Sequence, residues 1–279
     1  MYFDVYVPPS IADVCSNGNN LATCIQTFYN SYGSNVANIY YHDSSLVNGA
    51  GDNSYRYAGA SDIVNNYVCF GSNEEVCPSD NLYRIIGVFD NQVKLIKNAS
   101  YGSYNWSGSS TNSSNVWGNS TLNMDILNNV YYNSLGSVWN SKIVDTSWNV
   151  GGHSTSDVTV GAFYINEVTN NSTTYSSPIG LMYVSDYGFA TIPENWTTVL
   201  FNYNIAEVLE NNWLYYTNEW TITRSLNNAF SAFVISDSGL VNSYFVDTVF
   251  SNVRPTFYLV SSVTYKGGTG TSSNPILIN

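Results

Sequence analysis

Charge is what this chain has least of. Lys and Arg number 8 against 20 Asp and Glu in 279 residues, so 10% of the sequence is charged and the net charge is -12; soluble domains usually carry about 25% charged residues. No basic run interrupts this balance, and an acidic, unclustered surface repels a phosphate backbone, which sets nucleic acid aside as a partner. Histidine is nearly absent. His42 and His153 both lie among Asn, Asp, Gly or Ser that read as loops, and without a G-x-S-x-G elbow neither has a motif that would position it in a Ser-His-Asp arrangement. No apolar run approaches the roughly 18 to 20 residues that span a bilayer. The opening MYFDVYVPPS also lacks the basic and apolar regions of a signal peptide. The chain as given therefore reads as soluble. The run KGGTGTSSNP places Lys266 before its glycines and Pro275 where a helix would continue, so it fails the phosphate-loop pattern and reads as a turn between two terminal strands. No EF-hand loop occurs; Asp, Asn and backbone carbonyls are plentiful enough to leave calcium open, and no other cofactor is implied.

Cysteine is scarce and paired. The four cysteines fall as Cys15 with Cys24 and Cys69 with Cys77. Both spacings are longer than the C-x₂₋₄-C of zinc sites, and no histidine lies near the second pair. Two disulfides in an oxidising, extracytoplasmic compartment are expected, and Met1 then stands where a leader or anchor has been replaced. Seven N-x-S/T sequons begin at Asn98, Asn105, Asn112, Asn119, Asn170, Asn171 and Asn195. In so Asn-rich a chain they are weak evidence of glycans.

What is abundant is apolar and uncharged-polar side chain, 44% hydrophobic with 24 Tyr. Residues 1–39 are expected to form a helical segment: Ser10 caps a short helix, and Asn20 caps a longer one in which Leu21, Ile25, Phe28 and Tyr32 recur at helical spacing. Residues 40–279 are expected to form a single α+β domain, because no linker and no tandem period divides them. LYRIIGVFDNQVKLIKN reads as a hairpin around Asp90-Asn91. The spacer from Ala99 to Val116 reads as an exposed loop. STLNMDILNNVYYNSL reads as a helix capped by Ser120, with Leu122, Ile126, Val130 and Tyr131 on one face. Beyond Leu135, short apolar runs alternate with turn-formers, among them VTVGAFYINEV and IGLMYVSDYGFA, and are expected to be strands of an antiparallel, loop-rich assembly.

Several phrases carry a resemblance. AGDNSYRYAGA, NNYVCFGSNEEVCPSDNLYRIIGVFDNQVKLIKN, the STLN helix start after Trp117, GLMYVSDYGFA, NEWTITRS and VRPTFYLVSSVTYKGGTGTSSNP together resemble a family of extracytoplasmic proteins from gut-type Gram-positive bacteria. That family is labelled a domain of unknown function and often carries an amino-terminal prepilin-like helix. Its carboxy-terminal half is similar to C-type-lectin-like domains, including the variable proteins of diversity-generating retroelements. The resemblance implies a C-type-lectin-like fold, an antiparallel sheet with flanking helices and long irregular loops. Formylglycine-generating enzymes share that fold but need a carboxy-terminal cysteine pair, and this chain has no cysteine after Cys77.

In EWTITRS, alternation puts Trp220, Ile222 and Arg224 on one face. Trp220, Arg224 and Arg254 are expected to be anchors, each guanidinium holding loop carbonyls or an acid such as Glu219 or Asp186. AFSAFVISDSGLVNSYFVDTVF reads as a hairpin around Asp237-Ser238-Gly239. The flanking Tyr, Ser and Asn are residues that antibody loops favour for adaptable contact. Asn227, Asn228, Phe230, Ser231, Asn242, Tyr244, Asp247, Phe250 and Asn252 are the expected ligand-facing residues. No catalytic and no metal-ligating residue is expected. The leading expectation is a non-enzymatic surface binder, an adhesin or pilus-associated receptor for a host or bacterial surface protein or glycan, attached to a pilus or membrane through a segment before Met1. A structural surface or minor pilin subunit is the alternative. A carbohydrate-active enzyme using Asp186 with Glu194, or Asp237 with Asp247, is a third reading.

Overall fold

Asp90 and Asn91 both adopt left-handed backbone conformations (φ 45° and 62°), which suits the mirror-image turn that matches strand twist. They join strands β4 (Leu82–Phe89) and β5 (Gln92–Lys97) in the expected hairpin. The computed structural model describes residues 8–108, 114–247 and 251–279, and its mixed α+β architecture is built around this hairpin. In chain order, β1 is Ile39–Tyr41, β2 Tyr55–Tyr57 and β3 Tyr67–Cys69; β6 is Gly102–Tyr104, β7 Thr146–Asn149 and β8 Thr174–Ser177. Then follow β9 (Glu219–Arg224), β10 (Ser231–Ile235), β11 (Val241–Phe245), β12 (Ser251–Val253), β13 (Thr256–Tyr258), β14 (Tyr265–Gly267) and β15 (Ile276–Ile278).

Along one edge β4 pairs with β5, which pairs onward with β13; along the other it pairs with β3 near its start and β2 near its end. Gly87 lies where β2 crosses, and a Cβ there would meet Tyr55 O at 2.4 Å. The larger sheet continues from β3 through β15 to β14, so the expected terminal hairpin across KGGTGTSSNP is present. A second sheet runs in the order β11-β10-β9-β12-β6. The turn Asp237-Ser238-Gly239 joins β10 to β11 as expected, with Ser236 N donating to Leu240 O at 3.0 Å.

The helix Leu21–Tyr32 is capped by Asn20, whose Oδ1 accepts from Thr23 N at 3.0 Å. It buries Leu21, Ile25 and Phe28 in the shared core beside β4 and β5. Both expected disulfides are formed, Cys15–Cys24 stapling this helix to the short one before it and Cys69–Cys77 closing the second loop. No helix among the described residues is long and apolar enough to cross a membrane.

Four expectations are corrected. Leu122–Tyr131 is a π-helix, capped by Ser120 Oγ accepting from Asn123 N at 3.1 Å. A wider turn lengthens the apolar period, so Leu122, Leu127 and Tyr131 face inward while Val130 is exposed. VTVGAFYINEV is not a strand: Thr159 precedes the helix Val160–Tyr164, which continues as Ile165–Thr169, and Val160, Phe163, Tyr164 and Glu167 are its buried stripe. IGLMYVSDYGFA contains the helix Val184–Phe189, buried on every side. An apolar run enclosed all round carries no period to tell helix from strand. The spacer from Ala99 to Val116 is not simply exposed, because β6 forms the second sheet's edge and Trp106 and Asn115 are buried.

Candidate functional site

Strand β9 is buried on both faces along most of its length, and its end leads into the turn LNNAF before β10. That turn is built around a residue from a distant part of the chain. The Asn115 side-chain amide donates to Ser225 O (2.7 Å), Asn228 O (2.9 Å) and Ser231 O (2.8 Å), while its backbone N donates to Ala229 O (2.9 Å). A second segment clamps the turn from the side. His153 N donates to Arg224 O (3.0 Å), Leu226 N to His153 O (2.8 Å), and Asn227 Nδ2 to Ser154 O (2.6 Å). This segment runs as a short parallel extension of β9 because Gly152 takes a positive φ of 86°, where a Cβ would strike Arg224 O at 2.4 Å.

On this fixed turn the large outward side chains are apolar, beside the exposed Asn227. Leu226 is 56% exposed, Phe230 53%, and Phe245, at the adjoining end of β11, 54%. Val246 N bonds Phe230 O, which ties the two strand ends together. Beside them a shallow groove of about 370 Å³ runs along β11, lined by residues 154–157, Phe201, Phe233, Asn242 and Ser243. Since Phe230 pairs with Val246 and Ser236 with Leu240 through hydrogen bonds, the antiparallel alternation leaves the main-chain groups of Val241, Ser243 and Phe245 pointing away from β10. Asn242 Oδ1 takes the Ser243 N–H at 2.8 Å, which blunts part of this sheet edge.

The expected ligand residues divide. Asn227, Asn228, Phe230, Tyr244 and Asp247 gather at this end of the sheet, where Asp247 O accepts from Asn105 Nδ2 at 2.7 Å. Asn242 lines the groove. Ser231 is buried and contributes a carbonyl to Asn115 in place of a solvent-facing hydroxyl. Asn252 lies opposite Glu219, at the other end of β9, and spends its side chain on Thr217 O at 2.6 Å; five residue steps along a strand put it about 17 Å from the turn. Phe250 lies outside the described residues. Trp220 is fully buried with Nε1 donating to Tyr104 O at 2.9 Å, and Arg224 Nε donates to Gly151 O at 3.0 Å. Arg254 forks onto Glu219, Nε to Oε1 at 2.8 Å and Nη2 to Oε2 at 2.7 Å, and also reaches Leu214 O. Sequence reasoning missed Asn115, Ser154, Phe201, Leu226 and Phe245 as single residues. Nothing local marks Asn115 among its Ser and Asn neighbours.

A second concentration of chemistry lies inside. Lys94 of β5 is completely buried, with Nζ 2.5 Å from Asp186 Oδ2, 4.4 Å from the Tyr183 ring and 5.3 to 5.6 Å from those of Tyr258, Trp148 and Phe89. Burial lowers its pKa and Asp186 opposes that shift. Arg56 of β2 bridges Asp52 (2.6 Å) and Asp186 (3.5 Å), and Tyr164 donates to Asp52 at 2.8 Å. Glu167 accepts from Val184 N and Ser185 N, each at 3.0 Å, and from Thr223 Oγ1. Burial nevertheless pushes its carboxyl up to about 7. A cavity of about 100 Å³ opens beside this network. Each of these charges is answered by a partner, so the network joins β2, β5, the helices around Glu167 and Asp186, and β9 into one body.

Among the described residues neither imidazole hydrogen-bonds to a carboxylate or a hydroxyl. His42 is enclosed between Phe189 and Trp196, with Nδ1 accepting from Ala50 N at 3.0 Å. His153 stacks on Phe163 at 4.1 Å, with Nδ1 accepting from Thr155 N and Nε2 beside Asn166. Among the described residues no three His, Cys, Asp or Glu side chains form a group that could hold a metal ion. Compared with protein-family models, with curated proteins and with solved structures, the chain matches none.

Proposed function

We propose that the protein is an extracytoplasmic, non-enzymatic binding module of C-type-lectin-like architecture, which meets a partner protein or glycan through the β9–β10 turn, the end of β11 and the adjoining groove. One observation carries this reading: Leu226 and Phe230 stay exposed on a turn whose backbone is held from two sides by Asn115 and the 153–154 segment, and Phe245 is exposed at the adjoining end of β11. Exposed apolar side chains on a preorganised backbone lose little entropy when they are covered, which favours contact with a partner. Asn227, Asn228, Asn242 and Tyr244, on the same turn and strand, supply adaptable hydrogen bonds beside these apolar side chains. Two disulfides suit an oxidising location, and both imidazoles pack against aromatic rings.

The test is binding of the purified chain to host cells and to arrays of surface glycans and proteins. Replacing Leu226, Phe230 and Phe245 together by Ser is expected to weaken capture by about tenfold or more while leaving the melting temperature in place. Unchanged capture by that variant refutes the assignment.

A further inference from the structure

A second pocket lies away from the turn, at the opposite edge of the second sheet beside β6. It encloses about 390 Å³, within the range of small-ligand sites. From β11 to β6 is four strand spacings, on the order of 19 Å.

Its floor is the phenol pair Tyr83 and Tyr131, both buried, with hydroxyls 2.6 Å apart. Two hydroxyls carry two protons and one hydrogen bond uses one of them. The other proton has no acceptor among the described residues and belongs to a pair that lines the pocket. Burial raises both phenols above their ordinary value, so both keep their protons. One wall is Lys97, whose ammonium donates to the backbone carbonyl of Asp80; the charge of Asp80, which also lines the pocket, favours the ammonium but lies outside ion-pair reach of it. Two of its three N–H groups remain to be used. Tyr101 adds an aromatic wall, partly exposed, edge-on to Tyr131 at 5.0 Å and stacked with Tyr104 at 6.3 Å. Asn81 is held at the rim by Nδ2 donating to Phe70 O at 3.0 Å.

The pocket thus offers an ammonium, a phenol proton and an aromatic face, with Asp80 as the one acid in its lining. Donors of this kind call for an acceptor-rich anion, and the aromatic wall calls for a flat apolar face. We infer that this pocket binds a carboxylate-bearing sugar, its carboxylate toward Lys97 and the tyrosine hydroxyls and its C–H face against Tyr101. This site is separate from the turn surface and does not depend on that surface's proposed role.

Titration calorimetry of the full chain with glucuronic acid and N-acetylneuraminic acid, against glucose, benzoate and inorganic phosphate, tests the inference. The sugar acids are expected to bind, and glucose and phosphate to bind about tenfold more weakly or not at all. Lys97→Met is expected to weaken the sugar acids by about tenfold to a hundredfold, the worth of one charge-assisted hydrogen bond. Tyr101→Ala, at a partly exposed ring that should leave folding intact, is expected to weaken them as well. The turn variant of Leu226, Phe230 and Phe245 should bind them as the parent does. No binding of the sugar acids at about 10 mM overturns the inference. So do equal affinity for glucose, phosphate or benzoate, and undiminished binding by a folded Tyr101→Ala variant.

Discussion

Asn115→Ala tests the construction of the proposed contact surface without touching the surface itself. The side-chain amide serves three carbonyls, and they are not equally dependent on it. Ser231 O still accepts from Ser225 N at 3.0 Å, and Asn228 O from Ser231 N at 3.1 Å, so each of these loses one of two donors. Ser225 O has Asn115 as its one donor among the described residues and is left buried and unpaired. An orphaned buried acceptor costs about 1–3 kcal/mol and each weakened one about 0.5 kcal/mol, for a total of about 3 kcal/mol. With unfolding entropy near 2.1 cal/mol/K per residue, this lowers the melting temperature of a chain this long by about 5 °C. Urea unfolding measures the global term, and native-state hydrogen exchange locates it. The amides of Asn115, Ser225 and Ser231 should exchange on the order of a hundredfold faster, as should amides that open only by global unfolding, while amides that exchange through local openings away from the turn keep their rates. If stability falls by less than about 0.5 kcal/mol and these three amides keep their protection, Asn115 does not fix the turn.

Glu167 sets a slope of stability with pH. Its folded value near 7 lies above its ordinary 4.5, so the folded state holds the proton more tightly; stability is greatest at the acid end of this window and is lost as pH rises from about 4.5 to about 7, on the order of 3 kcal/mol in all. Urea titrations at pH 5 and pH 8 measure this, and Glu167→Gln should flatten the difference. Asp52 acts in the opposite sense: Arg56 and the Ser54 and Tyr164 hydrogen bonds outweigh burial and hold it below its usual range, so its contribution is present above about pH 4 and is lost below it. Lys94→Met leaves Asp186 buried with Arg56 at 3.5 Å as its remaining cation; a loss of about 3–5 kcal/mol is expected in chemical denaturation. Replacing Cys69 and Cys77 by Ser opens a loop with a sequence separation of 8, and a loss of about 2–3 kcal/mol is expected from the freed unfolded chain.

Much of the frame was legible in the chain. Asp90-Asn91 is a turn that tolerates left-handed backbone, Asn20 is a cap followed by helical spacing, and the cysteine spacings pointed to two short stapled loops. These features share a cause, since each is decided by contacts between residues close in sequence. The same reasoning failed where local preference was neutral. The β-branched and aromatic run at Val160 suits strand or helix alone, and becomes a helix by burying Phe163 against Phe233 and placing Glu167 against the start of the next helix. The π-helical turn of Leu122–Tyr131 changed which residues face inward, bringing in Leu127 and leaving Val130 exposed while Ile126 packs partly buried against the core, although the helix itself is legible in the sequence.

The candidate site shows the division most clearly. Composition and the alternation in EWTITRS determined a strand followed by an uncharged, aromatic-rich turn. Only the tertiary structure decided which of those residues face solvent. Ser231 turns inward, Asn252 lies at the far end of β9, and Asn115 arrives from 110 residues earlier to hold the turn. Lys94 likewise reads as one charge in an apolar strand until Asp186, from 92 residues away, is placed 2.5 Å from it. A buried donor must find its acceptors wherever the fold brings them, and no local pattern records that distance.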